Sequence, residues 1–166
     1  MEKEQIISRM SILGHPIHPM LIHFPVAALL GLIATDIAFV ATADGFWARA
    51  GLWLSGIGMV GGWVSGSVGL LDLIIVSQIR RLVIAWCHAL IAVMLLSLAT
   101  LNWFVRMGGA EKLIEPWGLY LSLLTGLLIT VASLLGGELV YEHAVGVSPE
   151  KMAKRRRRAG RQSEEH

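Results

Sequence analysis

Four long apolar blocks constrain this chain more than any other feature: about 20–42, 52–76, 83–105 and 118–141 of its 166 residues. Each is close to the ~20 residues that a helix needs to cross ~30 Å of hydrocarbon. Together they leave no stretch long enough to bury a separate soluble core. Composition agrees, since 55% of residues are hydrophobic and only 16% charged, too apolar a balance for a soluble surface. The predicted fold is all-α, an integral membrane four-helix bundle. Short connections put sequence neighbours side by side, giving up-down-up-down order with the first and third helices across a diagonal. A signal peptide cleaved after Ala41-Thr42-Ala43 is the rival account of the first block, but its polar leader would be long and broken by proline.

Charge orients the bundle. One side carries eleven basic residues: Lys3, Arg9, Arg80, Arg81, Lys151, Lys154, Arg155, Arg156, Arg157, Arg158 and Arg161; the other carries Arg49, Arg106 and Lys112. By the positive-inside rule both termini are expected to be cytoplasmic, with Trp47, Trp53, Trp103 and Trp117 in an aromatic belt at the opposite interface. Three regions follow: a cytoplasmic histidine- and proline-rich leader (1–19), a four-helix domain (20–147) and a polybasic tail (148–166). The tail is too polar to fold alone. It suits anionic lipid headgroups, at about 1 kcal/mol per basic residue, and nothing about it requires nucleic acid. Cys87, the single cysteine, excludes an internal disulfide and reads as a small packing residue. Gly58, Gly62 and Gly66 form a stripe for close helix packing, as do Ser122, Gly126, Thr130, Ser133 and Gly137.

Six ionisable residues fall within or at the edge of the apolar zone: His23, Asp36, Asp72, His88, Glu138 and His143. Such groups are costly in lipid unless paired, so each is a candidate for function. Asp36 lies thirteen residues beyond His23, ~20 Å along a helix, towards the far side. The others gather at the leader's side, where Gly14-His15-Pro16-Ile17-His18-Pro19-Met20-Leu21-Ile22-His23-Phe24-Pro25 brings three histidines and three prolines to the first span. Pro16 and Pro19 keep the leader extended, and Pro19 suits the first helical position. Pro25 should free the carbonyl of Leu21 and kink the helix beside His23.

Three chemistries want imidazoles at one depth. Haem b takes two axial histidines from facing helices, and His23 with His88 is the expected pair, Ser65 and Gly69 offering a small-residue wall. A bare Zn, Cu or Fe ion could use several histidines with a carboxylate. A His/Asp/Glu chain could relay protons or serve a quinone. For the haem reading, His143 and His18 stand as alternative ligands or propionate partners, and Arg80 and Arg81 as propionate partners. Asp72 and Glu138 would orient imidazole N–H groups. No nucleophile–base pair or phosphate loop occurs, which points away from a hydrolase or a nucleotide-driven pump.

The histidine–proline opening resembles the signature of the bacterial membrane family called domain of unknown function 2231. The resemblance extends to Gly69-Leu70-Leu71-Asp72, to the lone His88, and to the closing run Gly136-Gly137-Glu138-Leu139-Val140-Tyr141-Glu142-His143-Ala144-Val145-Gly146-Val147. It implies a four-helix protein of the bacterial cytoplasmic (inner) membrane, similar in layout to small b-type cytochromes. Some members are joined to Rieske-type iron–sulfur domains, which fits a redox role with a protein or quinone partner. The chain has no C-x-x-C-H for covalent haem attachment. The expectation is therefore haem b held for electron transfer. The alternatives are a metal- or proton-handling transporter and a haem-free accessory subunit of a larger complex.

Overall fold

The computed structural model describes residues 6–109 and 114–147; the basic tail lies outside the described residues. Four helices are long and apolar enough to cross a membrane: Ile17–Thr42, Gly45–Ile75, Val83–Met107 and Ile114–Tyr141. The first packs on the second and the fourth, and the third also packs on the second and the fourth. That is the up-down-up-down bundle.

Three boundaries differ from the hydropathy blocks, each for a local reason. The first helix starts at Ile17 because Pro16, extended at φ −61° and ψ 131°, precedes it. Pro19 thus falls in the first turn, where a missing N–H costs nothing. The helix breaks at Ile22, between Ile17–Leu21 and His23–Thr42, as a proline at position 25 requires of the turn before it. The second helix begins at Gly45 rather than 52, since the Asp44 carboxylate accepts from Phe46 N at 2.8 Å and caps it. The fourth opens with an irregular turn, Ile114–Gly118, in which Glu115 is extended, and runs regularly over Leu119–Tyr141.

The bundle is inverted relative to a soluble one. Its exposed side chains include Leu30, Ile37, Val60, Val64, Leu90, Val93, Leu127 and Leu134, while Asp36, Ser55, Ser65, Asn102, Arg106 and Ser122 are buried. Apolar outside and polar inside is stable only where the surroundings are hydrocarbon. Close packing depends on missing side chains: a Cβ on Gly58 would lie 2.5 Å from Leu29, and one on Gly62 would collide with Leu96. Leu29, Leu32, Leu95, Ala99 and Ile129 form the apolar layer at mid-bundle.

The leader is folded onto the bundle. Ser11–Ile12 and His15–Pro16 pair as a small antiparallel hairpin. Ile6 packs with Leu73, Val76, Ile79 and Ala85, and its carbonyl accepts from Gly146 N at 2.9 Å. Asp72, which is buried, fastens this strap by accepting from Ser8 Oγ, from Arg9 N at 2.8 Å and from Met10 N at 3.0 Å.

Candidate functional site

Polar side chains meet between the spans near both ends of the bundle. At the leader's end, His18 from the first turn of the first span approaches His88 of the third; their ring centroids are 6.5 Å apart and their planes 83° to each other. His18 Nδ1 lies 2.7 Å from the carbonyl oxygen of Ser65 in the second span. His88 Nδ1 lies 3.0 Å from the carbonyl oxygen of Ala132 in the fourth. A carbonyl only accepts, so each Nδ1 carries the proton, and in the neutral ring Nε2 keeps its lone pair. One helical turn beyond each carbonyl is a glycine. A Cβ on Gly69 would sit 3.0 Å from His18 Nδ1, and one on Gly136 would sit 3.2 Å from His88 Cε1. The rings are held by backbone and seated against glycine.

This is not the pairing expected from sequence. His23 is exposed on the outside of the first span, beside exposed Phe24. It follows His18 by five residues, about 140° around a helix, so the two cannot share a face. With the helix starting at Ile17, His18 takes the inward position. Asp72 and Glu138 do not orient the imidazoles either: Asp72 binds the leader, Glu138 is exposed, and backbone carbonyls hold both rings. His143 follows the last helix with Nδ1 3.4 Å from the Glu138 carbonyl, and exposed His15 sits 3.1 Å from that of Leu13. Arg80 is exposed and donates to the Ile74 carbonyl at 2.9 Å; Arg81 is exposed beside it. Among the described residues no three His, Cys, Asp or Glu side chains come together as a metal-binding group.

At the far end, Arg106 and Asp36 form a bidentate ion pair at 2.8 and 2.7 Å, both side chains fully buried. Arg106 Nε donates to Asn102 Oδ1 at 2.8 Å, and Ser122 Oγ donates to Asp36 at 2.6 Å. In the sequence Asp36 stands out as an acid within an apolar block, whereas Arg106 reads as a loop charge because the apolar block ends one residue earlier. Asn102 one turn before Arg106 was the available sign of a polar stripe turned inward. Among the described residues no buried side-chain nitrogen or oxygen lacks a partner.

Comparison with known families gives one result. The family model described as a predicted membrane protein, DUF2231, matches residues 14–149. No curated protein and no solved structure matches the chain.

Proposed function

The chain belongs to the DUF2231 family of predicted membrane proteins, and from that premise we propose that this four-span protein binds one haem b between His18 and His88 for single-electron transfer. The carrying observation is the ring separation of 6.5 Å. At that separation His18 and His88 would serve one haem iron together as its two protein ligands. The hydrogen bonds support the same reading, because a ligating imidazole is normally held by its other N–H. Here Ser65 and Ala132 supply the two acceptors. A porphyrin brings four nitrogens of its own, so two protein ligands suffice. A bare Zn or Fe site needs more side chains than the pair offers. A bound haem would supply a one-electron redox centre; His18 and His88, half-buried and held by the Ser65 and Ala132 carbonyls, would hold and orient it.

A two-coordinate Cu(I) ion is the second reading, favoured by the same two neighbouring imidazoles. Absorption spectroscopy on the purified protein separates them. A Soret band with reduced-minus-oxidised bands is expected, lost in His18→Ala and in His88→Ala and kept in His23→Ala. Retention in His18→Ala with loss in His23→Ala would return the site to the pairing first read from sequence, and colourless protein carrying copper would replace haem with the metal ion. The basic leader side is taken as cytoplasmic, in a bacterial inner membrane, with a quinone or protein as redox partner.

A further inference from the structure

Nine buried positions of the first half recur as buried positions of the second half at constant offsets. Between the first and third spans the offset is 70 residues, as from His18 to His88 and from Asp36 to Arg106. Buried Pro25, Leu29, Leu32 and Asp36 answer to buried Leu95, Ala99, Asn102 and Arg106. Between the second and fourth spans it is 67 residues, as from Gly69 to Gly136. Gly51, Ser55, Gly58, Gly62 and Ser65 answer to Gly118, Ser122, Thr125, Ile129 and Ala132, all buried. The sequence keeps a trace: Gly51-Leu52-Trp53-Leu54-Ser55 reappears as Gly118-Leu119-Tyr120-Leu121-Ser122. Packing in lipid favours small residues, but it does not require matched offsets.

Contacts repeat with positions. In each half a histidine gives Nδ1–H to a carbonyl of the following span, and a glycine one turn on lies at 3.0 or 3.2 Å from the ring by its absent Cβ. The first and third spans run the same way through the bundle. The operation relating the halves is therefore a rotation about an axis along the membrane normal, not an inversion of topology. His18–His88 and Asp36–Arg106 each join equivalent positions across that axis.

We infer that the chain is two copies of one helical hairpin around an internal two-fold axis, and that the ligand of the histidine pair lies on it. Such a ligand offers two equivalent coordination positions on opposite sides, as the two faces of a metalloporphyrin or a linear two-coordinate ion do. A quinone headgroup held from one side does not meet this condition, nor does a tetrahedral ion needing further side chains. Gly69 and Gly136 are the positioning residues that set the two rings. This rests on the reading of His18 and His88 as the binding pair.

The test uses full-length protein in detergent with two probes, hemin and Cu(I). His18→Ala and His88→Ala should each abolish binding of the same probe. Gly69→Ala and Gly136→Ala should each weaken it by about 10- to 100-fold, the usual effect of disturbing what holds a ligating imidazole. Both glycine variants should also change the low-spin ferric EPR signal, which a merely structural defect would leave in place on the remaining holoprotein. Gly61→Ala, where a Cβ meets Pro25 at an ordinary 3.4 Å, serves as the control and should bind as wild type. Hemin bound through one histidine alone keeps the haem reading and overturns the axis. Cu(I) bound by both histidines without hemin binding discards haem and supports the axis. Binding of neither probe overturns both.

Discussion

A guanidinium without exposed surface survives only where acceptors meet its donors in good geometry. Arg106 has the two oxygens of Asp36, the amide oxygen of Asn102 and the hydroxyl of Ser122. Removing one partner leaves the other charge buried and uncompensated, at about 3–5 kcal/mol. Asp36→Ala is therefore expected to lower stability by that amount, read as the unfolding midpoint in mixed detergent micelles. Replacing both, as Asp36→Leu with Arg106→Leu, should recover much of the loss, since the desolvation cost disappears with the charges. A single variant as stable as wild type would show that the pair contributes nothing. At this scale the sequence was half legible. Asp36 stood out as an acid in an apolar block, but its partner lay one residue beyond such a block, where hydropathy assigns a charge to the loop. His18 reads from sequence only as an alternative ligand, because it lies outside the apolar block, although the helix has already begun at Ile17.

At the scale of elements, two packing arrangements give separable predictions. A Cβ on Gly62 would run into Leu96 of the third span. Gly62→Val should therefore destabilise by about 1–3 kcal/mol, the usual effect of overpacking, seen as a lower thermal midpoint in detergent. Gly108→Ala, whose Cβ would meet, among the described residues, only the Val105 carbonyl at 3.6 Å, should change it by no more than about 0.5 kcal/mol. The leader behaves as its own unit. Its backbone is fastened by a carboxylate on the second span, and hydrogen bonds to a charged acceptor are about twice as strong as neutral ones. Asp72→Asn should speed amide exchange at Arg9 and Met10 while the spans keep their protection; unchanged exchange at those two amides would mean that the strap is held elsewhere. The spans were legible because lipid demands about 20 apolar residues whatever the packing. The strap was not, because the 64 residues separating Ser8 from Asp72 carry no periodic signal.

For the whole molecule, the bundle is governed by which half faces which. In a symmetric pair of hairpins, position 36 would meet a copy of itself, and two carboxylates or two guanidinium groups would repel in a buried place. Asp36 opposite Arg106 removes that conflict and at the same time makes the two halves complementary rather than interchangeable. The two-fold relation says how the pair can be reversed. It maps Asn102 onto Leu32 and Ser122 onto Ser55, both of the latter buried. Asp36→Arg alone and Arg106→Asp alone should each fail to give a stable bundle. The double exchange should restore part of the stability, with Ser55 already in place to serve the new pair. Adding Leu32→Asn and Asn102→Leu gives the relocated guanidinium an amide like the one that Arg106 now uses. That should gain about 1.5 kcal/mol or more over the double, the range for a hydrogen bond to a charged group. Unfolding midpoints of the four proteins in one detergent mixture decide it. If the quadruple exchange is no better than the double, the surroundings of the ion pair differ on its two sides, and the halves share a sequence pattern without sharing an axis.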